Sequence, residues 1–153
     1  MAVSNNIKMR KLFLSVLIIG ILLLSSCGRI DYPEPEDNAI AFKMGSFEDT
    51  EHDNALFGTI EYNNRIYIGY STVNNSYKRI KPDKCIGYII QDEDSTDVRV
   101  YTLSDDAEHN FLMEYDNTVK LMNQPFFYRA IDTKGQNIEI PEYMDDLGYE
   151  FWE

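Results

Sequence analysis

The chain has 153 residues, with 26 Asp and Glu against 14 Lys and Arg and a formal net charge of −12. That balance excludes nucleic-acid binding, which needs a cationic surface to displace counterions from phosphates. The length admits one substantial domain and not two.

Taken in chain order, Lys8, Arg10 and Lys11 stand ahead of residues 12–24, which are apolar apart from Ser15 and Gly20. This is the basic n-region and apolar h-region of a secretory signal, with Met9 an alternative start to Met1. The run falls short of the roughly 20 apolar residues that span a bilayer, so cleavage after export is expected rather than permanent insertion. No acidic residue precedes Asp31, as suits a segment inserting with its basic end on the cytoplasmic side.

Leu24-Ser25-Ser26-Cys27 follows at once and resembles the lipobox of bacterial prolipoproteins, with an aliphatic residue, two small residues and the cysteine each in place. The resemblance implies that residues 1–26 are a lipoprotein signal peptide cut before Cys27. It also implies that the Cys27 thiol carries a diacylglyceryl group with palmitate-type chains. The protein is then a lipid-anchored membrane protein on the extracytoplasmic face of the cell membrane. Two or more acyl chains give a stable anchor where one gives marginal binding. With Cys27 consumed, Cys85 is alone, no internal disulfide forms, and the fold must rest on its hydrophobic core.

Residues 27–38, rich in Pro and acids, read as the lipidated N-terminus and a disordered tether, and residues 39–153 as the globular domain. Ile40, Phe42 and Met44 alternate with Ala41 and Lys43 as in a half-buried strand, and residues 46–54 read as a polar loop. Residues 56–62 and 65–70 are rich in aromatic and β-branched types around Asn63-Asn64, which predicts a hairpin with a type I′ turn. Direct pairing sets Tyr62 opposite Arg65, Glu61 opposite Ile66 and Ile60 opposite Tyr67, leaving apolar groups on both faces. Residues 71–84 form a longer connection with a basic concentration, Lys78, Arg79, Lys81 and Lys84, whose bland reading is a solvated loop and whose functional reading is an anion-docking patch.

Residues 85–91 and 98–103 predict a second strand pair, with Cys85 buried at the head of the first. The acids between them do not make an EF-hand loop, because Asp97 stands where glycine is needed and Leu103 where the bidentate glutamate is needed. His109, Phe111, Met113 and Tyr115 alternate as in a strand, with a short helix from Asp105 as competitor. Residues 125–131 and 138–140 read as strands. A C-terminal helix is expected from Pro141, with Tyr143, Met144 and Leu147 on one face and Gly148 as its cap; Tyr149, Phe151 and Trp152 then tuck onto the core. The expected fold class is α+β, a single small domain dominated by antiparallel strands with a short C-terminal helix. The stretch Tyr128-Arg129-Ala130-Ile131-Asp132-Thr133-Lys134-Gly135 is similar to small lipoproteins of Gram-positive anaerobes, a resemblance to which no activity is attached.

The chemistry-bearing residues are few. His52, in Glu48-Asp49-Thr50-Glu51-His52-Asp53, lacks the paired histidines or cysteines of a zinc site, and no metal or other cofactor is expected. There is no Gly-x-Ser-x-Gly elbow, His-Glu-x-x-His, phosphate loop or dinucleotide fingerprint. The expected function is that of a non-enzymatic envelope lipoprotein binding a ligand, a glycan or a protein partner, with Tyr62, Tyr67 and Tyr70 as one candidate aromatic face. The alternative is a small envelope hydrolase working through carboxylates and His109.

Overall fold

The Asn63-Asn64 turn forms as the residue types require, with φ of 50° and 61°, the left-handed region that asparagine tolerates. The register it sets is Tyr62 opposite Arg65, Glu61 opposite Ile66 and Ile60 opposite Tyr67, as direct pairing across a two-residue turn dictates. Around this hairpin the computed structural model describes residues 30–52, 54–90, 96–118, 124–145 and 147–152. They contain strands β1 (Pro35–Phe42), β2 (Gly45–Asp49), β3 (Ala55–Tyr62), β4 (Arg65–Thr72), β5 (Pro82–Ile89), β6 (Val98–Leu103), β7 (Phe111–Asp116) and β8 (Phe126–Ala130). One sheet holds all eight in the order β1, β5, β6, β7, β8, β4, β3, β2. Every pairing is antiparallel except β1 with β5.

The fold is therefore all-β, which corrects the expected α+β class. Helical structure among the described residues is confined to three single 3-10 turns, Tyr77–Arg79, Ile131–Thr133 and Glu150–Trp152. The expected C-terminal helix stops after one turn, in which the Met144 amide donates to the Pro141 carbonyl at 3.0 Å. Met144 then bridges to Val73, and the Asp145 amide donates to Thr72 at 3.0 Å, so the backbone groups a helix would use internally go to the end of β4. Gly148 does turn the chain at φ 63°, but with no helix to cap.

Three smaller expectations also change. Residues 46–49 belong to β2 rather than a loop, because Phe47 packs on Phe57 and Phe151 and the backbone pairs with β3. Residues 138–140 form no strand. The described part of the supposed tether, residues 30–38, is built into the domain: Ile30 and Tyr32 pack on a core cluster, and Pro35 to Asn38 extend β1 along β5.

The two outermost strands are neighbours in sequence. Only Lys43 and Met44 separate the end of β1 from the start of β2, a link of at most about 11 Å at some 3.6 Å per residue. The sheet must therefore curl until its edges meet, one bent strand serving both ends. Contacts across the interior agree, since Met44 Sδ lies 3.7 Å from the Tyr128 hydroxyl of β8 and the Phe42 and Tyr62 rings meet at 6.5 Å.

Curling gives two cores. Inside lie Phe42, Ile60, Tyr67, Val100, Leu112 and Tyr128 with their neighbours, drawn from seven of the eight strands. Outside, one patch formed by Tyr70, Cys85, Tyr101, Phe111, Met113 and Phe127 is covered by Tyr143 and Met144, and a second, Phe57 with Ile68, is covered by Phe151. Apolar groups on both faces of the hairpin are thus both buried, Ile60 and Tyr67 inward and Phe57 and Ile68 outward.

Gly87 is where β1 meets β5, paired with Ile40, and a Cβ there would overlap the Ile40 carbonyl and crowd the Phe42 ring. Backbone cannot swing aside as a side chain can. Gly87→Ala is expected to detach β1 and to destabilise the domain by about 1–3 kcal/mol, the usual cost of overpacking. Urea unfolding with hydrogen exchange on β1 checks this, and an unchanged midpoint would contradict the edge-closing role of this strand.

Candidate functional site

Among the described residues, side chains pack together in the interior of the curled sheet, as in small barrels. Glu114 accepts a 2.5 Å hydrogen bond from the Tyr128 hydroxyl. Burial raises the Glu114 carboxyl above the usual range, the Tyr128 bond pulling the other way. Burial likewise pushes Tyr128 far above an ordinary phenol, so its proton stays on to make this bond.

On the outer surface two adjoining clefts share Ile30, Tyr32 and Tyr115. The first, about 840 Å³, is walled by the end of β4 and the segment after it (Thr72, Val73, Asn75, Tyr77), by Gln124 and Pro125 ahead of β8, and by Asp145. Tyr32 and Tyr115 form its aromatic wall, stacked at 4.1 Å with rings 9° from parallel. Tyr32 is also held edge-on to Tyr101 at 5.8 Å. Burial drives the Tyr32 hydroxyl well above its ordinary range, with Tyr115 and Tyr101 adding to the effect. It therefore enters any contact as a neutral donor and acceptor.

The back of this cleft is stapled. Asn74 donates from its side-chain amide to the carbonyls of Glu142 at 2.8 Å and Met144 at 3.2 Å, and its own side-chain oxygen accepts from the Ser76 amide at 2.7 Å. The Ser71 hydroxyl donates to the Asp145 carbonyl. Asn75 and Gln124 also line the cleft, and among the described residues that line it Asp145 is the only carboxylate.

The second cleft, about 940 Å³, adds Asp31, Glu34, Arg99 and Asn117. Arg99 pairs with Glu34 at 2.9 Å. Behind it the Arg99 Nε and the Tyr101 hydroxyl are buried with no hydrogen bond of normal geometry among the described residues, though the two groups interact electrostatically, and burial raises the Cys85 thiol. Cys85 is fully buried, its S–H directed at the Gly87 carbonyl 3.6 Å away, and so is an inert core thiol of β5.

No protein-family model matches the chain, and neither the curated proteins nor the solved structures contain a match to it.

The other residues singled out by sequence separate widely. Tyr62, Tyr67 and Tyr70 do not share an open face: Tyr67 points into the curled sheet and Tyr70 into the outer cluster, with a register shift between Gly69 and Ser71. His109 sits in a turn at φ 51° with its ring 6.1 Å from Tyr62. Its carbonyl accepts from the Tyr67 hydroxyl at 2.7 Å and from Arg65 at 2.9 Å. The nearby acidic groove is lined by Asp105, Asp106 and Glu108, and His109 is not among its lining residues.

Asp49, Glu51 and His52 bring three potential ligand atoms within 4.8 Å of one another. Asp49 is buried, yet its oxygens are already engaged, one by the Glu51 amide at 3.1 Å and the other by His52 Nδ1 at 2.8 Å. Burial pulls its carboxyl upward, but these bonds outweigh that and leave it below the usual range. The cluster closes the β2–β3 turn.

The stretch Tyr128–Gly135 is held by its own side chains: Thr133 caps the Ala130 carbonyl at 2.7 Å and accepts from Arg129 at 2.9 Å. Lys78, Arg79, Lys81 and Lys84 are all exposed, and Arg79 pairs with Glu142. Cys27 and the residues before it, on which the expected signal peptide falls, lie outside the described residues, and among those described no helix is long and apolar enough to cross a membrane. Sequence reading missed Tyr32, Tyr115 and Arg99. An aromatic residue inside a segment otherwise made of Pro and acids was the available signal for Tyr32.

Proposed function

We propose that this protein is a cell-envelope lipoprotein, anchored through diacylglycerol on Cys27 at the extracytoplasmic face of the membrane, whose domain binds a glycan in the tyrosine-walled cleft. The observation that carries the reading is the place of Tyr32, five residues from Cys27 and stacked on Tyr115 at the cleft wall. A lipid on Cys27 puts that wall within about 18 Å of the bilayer at some 3.6 Å per residue. The lipobox residues Leu24 to Cys27 support the anchor.

The cleft chemistry supports the ligand class. Tyr32, Tyr77 and Tyr115 present rings against which the apolar face of a sugar can lie, while Asn75, Gln124 and Thr72 offer donors and acceptors to hydroxyls. Large apolar ligands fit this lining less well, and it carries no cation to receive a phosphate.

Titration of the domain with soluble fragments of cell-wall glycan, followed by NMR, tests this. Binding is expected to shift the ring resonances of Tyr32, Tyr77 and Tyr115. Asn75→Ala and Gln124→Ala are each expected to weaken it by about 3- to 10-fold, the worth of one neutral hydrogen bond, without altering Tm. Fragments that leave all three rings unperturbed at millimolar concentration would remove the glycan reading.

A further inference from the structure

We infer that the face carrying Tyr77, Lys78, Arg79 and Lys81 lies against the phospholipid headgroups of the membrane in which the chain is anchored, and so fixes one orientation of the domain. The inference rests on the Cys27 anchor proposed above and adds a second, electrostatic contact to it.

Three observations lead to this surface. Its position follows from Ile30, which stands three residues from Cys27, packs on the outer core cluster with Ile80, and lines the same cleft as Tyr77. Three residues reach at most about 11 Å, so the cleft rim cannot stray far from the lipid.

Charge is the second. In a chain of net charge −12, residues 77–84 hold Lys78, Arg79, Lys81 and Lys84 against the single acid Asp83. Arg79 is paired with Glu142, and among the described residues Lys78, Lys81 and Lys84 have no ion-pair partner. An anionic leaflet attracts this patch and repels the acidic remainder, so the two effects turn the domain the same way.

The third is shape. Residues Tyr77–Arg79 form a single exposed 3-10 turn, and Tyr77 is 48% exposed with the Lys78 ammonium 5.9 Å from its ring centre. A tyrosine beside cations, apolar in its ring and polar at its tip, has the character of residues that sit at headgroup level.

Glu34, Asp31 and Asp145 flank the same clefts and oppose the contact. They line the clefts themselves, whereas Lys78, Arg79 and Lys81 line neither cleft and are exposed in the segment that follows Tyr77.

The acylated full-length protein, purified from membranes, is reconstituted into phosphatidylcholine vesicles with and without phosphatidylglycerol. Nitroxides are placed by Asn75→Cys on the rim or by Leu56→Cys on β3, where Leu56 is 72% exposed; the buried Cys85 and the acylated Cys27 do not compete for label. Power-saturation EPR then compares collisions with lipid-soluble oxygen and with a water-soluble nickel chelate.

In phosphatidylglycerol vesicles the position-75 label is expected to lose nickel collisions and gain oxygen collisions relative to position 56. Lys78→Glu with Lys81→Glu should abolish that difference. Equal exposure at both positions in anionic vesicles would overturn the inference while leaving the anchor intact. Mass analysis of Cys27 in the same sample separates the two ideas, because an unmodified thiol overturns the anchor itself.

Discussion

Truncating the chain after residue 140 is expected to abolish cooperative folding of the domain. The outer surface of the curled sheet is apolar, and its cover comes from the last residues: Tyr143 and Met144 close one patch and Phe151 the other, with Tyr143 1% and Phe151 4% exposed. The cover is hydrogen-bonded in place, by the Tyr143 hydroxyl to Asp105 at 2.9 Å and by the Val73–Met144 bridge. Trp152 lies over the buried Arg129 guanidinium at 4.2 Å and shields it from water. Losing a buried large aromatic costs about 3–5 kcal/mol, against about 5–15 kcal/mol for the stability of a whole domain. Tyr143→Ala and Phe151→Ala should each lower the urea midpoint steeply, and the truncation, which removes both, should leave little near-ultraviolet circular dichroism. A truncated domain that unfolds cooperatively near the wild-type midpoint would show that the sheet is stable without its cover.

Cys27→Ala is expected to abolish incorporation of labelled fatty acid, block signal cleavage and leave a larger precursor. Only a thiol at this position can form the thioether that carries diacylglycerol, and in the lipoprotein class the resemblance implies, cleavage waits on that modification. Each buried methylene contributes about 0.8 kcal/mol to membrane binding, so two acyl chains hold firmly. The acidic domain offers little to replace them. Detergent partitioning and mass measurement of the N-terminal peptide read the outcome. A Cys27→Ala protein processed to the same size and still incorporating lipid would end the anchor reading.

Local information sufficed wherever a short stretch dictates its own geometry. Asn63-Asn64 specifies a two-residue turn because its residues accept positive φ, and the register of β3 and β4 then follows from pairing alone. The strand around Cys85, its antiparallel partner Val98–Leu103 and the alternating β7 were legible for the same reason, as was the tucking of Phe151 and Trp152. Both faces of the hairpin are apolar because both are buried, a pattern visible in the chain but interpretable only once the sheet has an inside and a cover.

What the chain could not settle locally was decided by distant partners. Pro35 to Asn38 look like solvated linker and become strand because β5 offers an open edge. Residues 46–49 look like a polar loop and become β2 because β3 pairs with them. The helical spacing of Tyr143, Met144 and Leu147 loses to Thr72, Val73 and Asn74, which capture the backbone groups a helix needs. Tyr67 and Tyr70, three residues apart, take opposite faces by plain alternation, but that both of those faces are buried was decided by the packing of the whole sheet.

The candidate cleft is the clearest case, since Tyr32, Asn75, Tyr115, Gln124 and Asp145 come from five separate stretches. By itself the sequence determined the acidic character, the central hairpin and the β-rich strand pattern, all properties of composition or of neighbouring residues. The curled single sheet, its two cores and the site on its flank were decided by the tertiary structure, because each depends on closing strand edges and burying faces that lie far apart along the chain.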